Sequence, residues 1–589
     1  MRTLPLLLLA IAPILGACLD VPEAPDVECA SDTECDQAHG ELCAEGTCYG
    51  NPPDGAFAAV ISPPGARSDL VPRELMHVEM SPDGSIDGLA LEPAVTLSGR
   101  VEAACPPLPA ACDPTTIEAT ITVVRPSQFA GGPGFRTVVM SSAAAADSSF
   151  SVAVPPTHAG DAPYVITVVP AGRGEEPPPM GTTPAQLVPP ARFVAGIDAN
   201  MTRSLQLGGV DNPVIDGTLL SATGNGLGYH RVVALGRWEA GAPLTEVSTV
   251  AYTGTDGKFR LILASNLVGN VEIVAKPYAD LLDPTLHLGG VPATSSSTRT
   301  LVLPEGLGLP TTISVPITGT DGNGAVGPVR GARVRVTATF DAPVAGAASA
   351  TFTAEGTTSD AGSVQLEVLD GPAFASLYRL EVVPQAAAKV GVVFDQPLVA
   401  YAMPLQLPSR VALTGVVTDA LGSPLKDVAV TARPSLRFLW NLEDAPQAFL
   451  SGIPAATTTT SENGEYVLWV DPMILGTLGR YDLVFEPAAK TRAPAWVKPD
   501  VEVPSNLEVS SAPTTQIQLP DAAYVRGTVT SPDGEVLEGA ELKVFRTVEP
   551  FVSLCAEVLN EPESCPIPAL LLGRGTSDKE GVVRLGLPR

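Results

Sequence analysis

Nine cysteines and five histidines are the side chains best equipped for nucleophilic or metal chemistry in this 589-residue chain, and their spacing supports little of it. His39, His77, His158, His230 and His287 are scattered, and none has a second ligand at metal spacing. No Ser or Cys occupies a nucleophile elbow or adjoins a base that would activate it. Gly224-Asn225-Gly226-Leu227-Gly228 lacks a following Lys-Ser/Thr and opens no helix, so it reads as a turn rather than a phosphate cradle. Asp321-Gly322-Asn323-Gly324 offers oxygens for weak calcium binding, but a full site needs six or more, and a plain turn is the simpler reading. These residues predict no enzyme, no metal and no cofactor.

The cysteines suit bridges better. Cys29, Cys35, Cys43 and Cys48 form one group, Cys105 and Cys112 a pair, and Cys555 and Cys565 another. An even set at short spacings is what disulfides in an oxidising compartment produce. A zinc site is the alternative for the first group, although its gaps lack tight C-x-x-C pairs. Four cysteines allow three pairings, and the sequence does not choose among them. The run from Cys29 to Cys48 is similar to short cysteine-rich modules in surface proteins of myxobacteria, and so few residues would depend on their bridges.

Cys18 stands apart. It closes Leu15-Gly16-Ala17-Cys18 behind Arg2 and an apolar stretch from Leu6 to Leu15, too short to span a bilayer. That arrangement resembles a bacterial lipoprotein signal. The resemblance implies cleavage before Cys18, lipid on its thiol and a membrane as partner. An ordinary secretory signal with an incidental Cys is the alternative. Leu19, rather than Asp, follows the Cys, which under the enterobacterial sorting rule implies the outer membrane. The expected address is the cell envelope, lipid-anchored at the outer membrane, facing either the periplasm or the outside.

Composition constrains the remainder. Only 17% of residues are charged and 5% aromatic, while Gly and Pro together number 114. Abundant proline argues against long helices and for short strands joined by turns. A net charge of −29 argues against nucleic acid, whose phosphates need a basic surface.

Five stretches share a turn followed by an alternating strand: Phe150, Val152, Val154; Phe259, Leu261, Leu263; Val364, Leu366, Val368; Tyr466, Leu468, Val470; and Val583, Leu585, Leu587. Period-two alternation predicts one buried and one wet face. The entering turns carry Asp or Asn with Gly257, Gly362, Gly464 or Gly581, where a positive φ is expected. A closing strand ends the first four units at Pro170, Pro277, Pro384 and Pro487, a domain-sized spacing of roughly 105 residues. Each unit opens with a Gly in an apolar strand: Gly99, Gly217, Gly319, Gly415 and Gly527.

The fourth unit states the scheme most fully. It runs Gly415-Val416-Val417-Thr418-Asp419, then Gly422-Ser423-Pro424-Leu425, then Glu462-Asn463-Gly464-Glu465-Tyr466 and Tyr481-Asp482-Leu483. This resembles the carboxypeptidase regulatory-like family of transthyretin-like β-sandwiches, over about five-sixths of the chain. The resemblance implies an all-β chain, a tandem array of about five seven-stranded Greek-key sandwiches, and no peptidase activity. The expected organisation is a signal peptide over 1–17, a lipidated tether over 18–28, a cysteine-rich module over 29–48, and a linker with entry strand over 49–92. Sandwiches are expected over 93–190, 191–292, 293–394, 395–497 and 498–589. The fifth lacks a closing strand, so either it is incomplete or the sequence is short of its C-terminus.

Three aromatic residues are the ligand or partner candidates. Trp469 takes an outward slot held by Ile262 and Glu367 in sister units, and Phe438 and Trp440 lie in the long loop before its strand. Aromatics anchor sugars and protein partners alike. The alternative is a loop folded over Trp469, or contact with a neighbouring sandwich. The leading functional expectation is a non-catalytic, membrane-anchored envelope lipoprotein, a rod of sandwiches that spaces or presents an adhesion-type surface. The second is a carbohydrate-binding surface protein using the fourth sandwich, since related sandwiches bind glycans.

Overall fold

The computed structural model describes residues 29–589 except 56, 105–114, 130–132, 142–148, 175–176, 178–187, 210, 279–281, 308, 321–324, 341–346, 371–377, 386–387, 399–403, 436–452, 454, 475–476, 489–490, 504–514 and 547–569. Cys18, Cys105, Cys112, Cys555, Cys565, Phe438, Trp440 and the Asp321–Gly324 turn lie outside the described residues.

The five alternating rows are strands with one face buried, and all fifteen apolar residues named for them are in cores. Their partners Ser151, Lys258, Arg260, Gln365, Glu367 and Glu465 are exposed. The turns before four of these strands share one geometry. Gly257, Gly362, Gly464 and Gly581 sit at φ 69°, 72°, 71° and 73°, and each amide donates to the carbonyl three residues earlier. L-residues avoid that region, which explains the recurring glycine.

The fourth unit shows the shared topology. Its seven strands are Val411–Thr418, Ala429–Pro434, Ala456–Thr459, Glu465–Val470, Arg480–Glu486, Trp496–Glu502 and Thr515–Gln518. The first lies between the fourth, antiparallel, and the seventh, parallel. The facing sheet runs third, second, fifth, sixth, all antiparallel. Three further units spanning Val95–Leu207, Val214–Val302 and Leu309–Leu407 repeat this order, each around its own apolar core. The opening glycine has a packing role in the second unit. Gly217 pairs with Phe259, whose ring lies where a Gly217 methyl would go.

The fifth sandwich changes the expected organisation. Its first four strands are Ala522–Thr528, Glu541–Arg546, Leu570–Thr576 and Val582–Pro588. The remaining three come from the other end of the chain. Phe57–Ser62 pairs antiparallel with Glu541–Arg546 as the fifth strand, Arg73–Leu75 follows as the sixth, and Ser85–Ile86 runs parallel to Ala522–Thr528 as the seventh. Phe57, Ala59, Ile61, Leu70, Ile86, Leu89 and Leu91 share one core with Val525, Leu542, Val544, Leu572, Val583 and Leu585. Residues 57–91 are therefore part of a sandwich rather than a linker with an entry strand, and the fifth sandwich has all seven strands. The reading of an incomplete fifth sandwich is replaced, because its C-terminal strands are completed by the N-terminal segment.

Contacts between units then close into a circuit, in which Arg173 of the first sandwich meets Glu246 of the second at 3.0 Å. The second and third sandwiches fuse edge to edge through Leu286 and Ala350. The fourth meets the fifth through the Ala495 amide and the Leu572 carbonyl, 2.8 Å apart. The fifth meets the first where Phe129 packs on Phe545, Ala58 and Val60. Beside it, the Glu74 carboxylate accepts from Ser127 Oγ, Gln128 N and Gly134 N at 2.9–3.0 Å. A simple open rod does not describe this arrangement.

Candidate interaction site

Two junctions bring buried charged and aromatic side chains together. The first lies between the third and fourth sandwiches. Asp471 ends the strand Glu465–Val470, and Arg410 precedes Val411–Thr418. Their side chains, 4% and 2% exposed, approach at 3.3 Å between Asp471 Oδ2 and Arg410 Nε. Asp471 Oδ1 also accepts from the Val392 amide of the third sandwich at 2.9 Å. Tyr481 Oη donates to the Asp471 carbonyl and accepts from its amide. Burial pushes the Asp471 carboxyl above its ordinary range, with the Arg410 guanidinium pulling the other way. Gly391 leaves room for the carboxylate; a methyl there would collide with Asp471 Oδ1.

Trp469 borders this junction. It is half-buried, and Lys389 of the third sandwich places its ammonium 4.7 Å from the ring centroid. The contact with a neighbouring sandwich, foreseen as the alternative to a ligand surface, is the one present among the described residues.

The second junction is the seam of the fifth sandwich, covered by the cysteine-rich module. Cys29 pairs with Cys43 and Cys35 with Cys48, which resolves the three pairings and uses the sulfurs that a zinc ion would need. A hairpin of Leu42–Ala44 and Thr47–Tyr49 results. Tyr49, fully buried, extends the edge of Ala522–Thr528 by pairing with Tyr524, and the guanidiniums of Arg526 and Arg492 lie 5.1 and 5.7 Å from its ring. Glu45 forms two hydrogen bonds with Arg584, at 2.8 and 2.9 Å, which hold its carboxyl below the usual range. Glu41 pairs with Arg589. The module thus rivets the N-terminal segment to the strands it completes. A cavity of about 320 Å³ beside it is lined by Glu41, Asp419, Asp521, Tyr524 and Arg589.

Reduction tests the rivet. Each bridge closes a loop of 13 or 14 residues, worth about 3 kcal/mol by loop entropy. Dithiothreitol is expected to expose residues 29–51 to thermolysin while the sandwich cores resist; unchanged cleavage of that segment contradicts the account.

The five histidines do not converge. His39 meets Asp36, His158 meets Glu92, and His287 meets Glu272, in three different units. His230 is fully buried, and its Nδ1–H donates to the Gly228 carbonyl at 2.8 Å. Burial lowers its pKa below 6.5, with Asp283 opposing. The unfolded chain therefore binds more protons below that value, and stability falls as pH drops through it. His230→Gln is expected to flatten this acid slope in the unfolding of the second sandwich, measured between about pH 7 and 5.

Sequence reasoning missed Arg410, Asp471 and the strand Phe57–Ser62. The strand had a signal. Phe57-Ala58-Ala59-Val60-Ile61-Ser62-Pro63 has the length, leading aromatic and terminal proline of Tyr164 to Pro170, the closing strand that the fifth unit lacked.

No family model matches the chain, and no curated protein matches it. Among solved structures, it is similar at 11% identity to a streptococcal ancillary pilin, over 54% of this chain and 99% of that one, with a TM-score of 0.17. The shaft pilin SpaA from Lactobacillus rhamnosus GG matches at 11% identity over 36% and 97%, with a TM-score of 0.15. Two B repeat units of the collagen-binding protein of Staphylococcus aureus match at 9% identity over 68% and 95%, with a TM-score of 0.12. Similarity at this level transfers no function. What the chain is rests on its own strand pairing: five β-sandwiches of one topology, the last assembled from both ends of the polypeptide.

Proposed function

We propose that this is a non-catalytic lipoprotein of the cell envelope, anchored through Cys18, in which a circuit of sandwiches presents an adhesion-type surface. The observation that carries this reading is the use made of charged and apolar groups. The sandwich interiors are filled by aliphatic and aromatic side chains, and the buried ion pair Arg410–Asp471 is spent on holding two sandwiches together. The lipid-bearing residue would lie only 11 positions before Cys29, so the seam of the fifth sandwich sits nearest the membrane and the second and third sandwiches are carried away from it. Two bridges in the module agree with an oxidising compartment.

Protease shaving of intact cells, with mass spectrometry of released peptides, tests the address. Release of peptides from 214–407 supports surface display, and a Cys18→Ala variant should lose its membrane association. Complete retention of that variant in the membrane fraction overturns the anchor. Carbohydrate binding is a second reading, which Trp469 supports as an aromatic only partly covered by Lys389. A glycan array read with the wild type and Trp469→Ala separates it from a purely structural contact.

A further inference from the structure

The fifth sandwich is joined across the chain ends by contacts that do not depend on both ends belonging to one molecule. Phe57–Ser62 matches Glu541–Arg546 over six residue pairs, and Arg526 and Gly527 pair with Ser85 and Ile86. Phe57, Ala59, Ile61, Leu89 and Leu91 fill the space between the two sheets of the C-terminal half. Every other sandwich is built from one contiguous stretch, and none of their interior cores contains a residue of 57–91, so those interiors do not need the ends to meet. Closure within one chain instead depends on the junctions, such as Arg410–Asp471 and Leu286–Ala350, holding the angles that return the fifth sandwich to the first.

We propose that the half-sandwich formed by Ala522–Thr528, Glu541–Arg546, Leu570–Thr576 and Val582–Pro588 is also a docking surface for residues 57–91 of a second copy of this chain, giving strand-exchanged oligomers. The contacts made between copies are the ones seen within the chain, so the choice between them is set by effective concentration and not by new interactions. The cysteine-rich module travels with the donor segment, because Glu45 and Tyr49 bind Arg584 and Tyr524 of whichever half-sandwich is filled. One-way exchange is heterologous and builds open chains; reciprocal exchange between two copies closes a dimer. Exchange requires the shared core to open, so it occurs during folding, or at high local density after partial unfolding.

Two full-length variants test this. Ala59→Asp with Ile61→Asp spoils the donor and leaves the acceptor intact. Val544→Asp with Leu585→Asp spoils the acceptor and leaves the donor intact. Refolded together, they are expected to give a one-to-one complex of about twice the mass of a single chain by light scattering, with protection of 541–546 restored in the donor-defective partner alone. Each variant refolded alone is expected to remain single. Hydrogen exchange in 258–262 and 465–470 reports that the other sandwiches have folded. A mixture that stays at single-chain mass with those segments protected overturns the proposal. So does association of either variant alone to the same extent as the mixture, which would mark exposed apolar surface as the cause.

Discussion

Ile61→Asp is expected to open the fifth sandwich and leave the other four folded. Ile61 is fully buried, opposite Leu542, in the core shared by the two chain ends. Losing its side chain from that core costs about 1.5–3 kcal/mol of apolar burial, and an unpaired carboxylate there adds several kcal/mol more. The total approaches the ~5–15 kcal/mol that holds a typical domain together. The effect should stay local because each remaining core contains no residue from 57–91. Calorimetry should show loss of one transition, and thermolysin should cut within both 57–91 and 522–588. Retention of all transitions would mean that the N-terminal strand is dispensable.

The second large effect is expected from Arg410→Ala. With the guanidinium gone, Asp471 keeps its burial and the Val392 amide but loses its counter-charge. Breaking a buried pair from one side typically costs about 3–5 kcal/mol, whereas replacing both partners with apolar residues is often neutral. Arg410→Met combined with Asp471→Leu should therefore recover much of the loss, measured by urea unfolding of the full chain. The variant's deficit should also shrink in acid. A carboxyl whose pKa is raised in the fold takes up its proton before the unfolded chain does, so its penalty is present above the folded pKa and disappears as pH falls. A single-variant cost equal to that of the double variant, with no pH dependence, would remove the pair from the account.

Most of the fold was legible because the fourth strand of each of the first four units has one wet face. Phe150 and Phe259 alternate with polar neighbours, and the glycine turns before Phe259 and Tyr466 mark where their strands begin. The closing strand of the fifth unit was not legible for a matching physical reason. Ala58 and Val60 point away from its core but are buried against Phe129 of the first sandwich, so Phe57–Ser62 has no polar row and reads as an undirected apolar run. Its separation from Glu541–Arg546 by almost the whole chain also defeats any search for contiguous repeats. The pairing of the four module cysteines was not legible because spacing alone allows three pairings. Trp469 is half-buried, and composition carries no information about which neighbour covers it; Lys389 does. Arg410 and Asp471 belong to no motif and become partners only when two sandwiches meet.

Hydrogen exchange of the native full-length chain, resolved to 57–62 and 541–546, tests the assembly of the fifth sandwich from both ends most directly. The structure predicts that the two segments are protected to the same degree and open together as denaturant is added, because they are neighbouring strands of one sheet. Rapid exchange of 57–62 while 541–546 stays protected would contradict it.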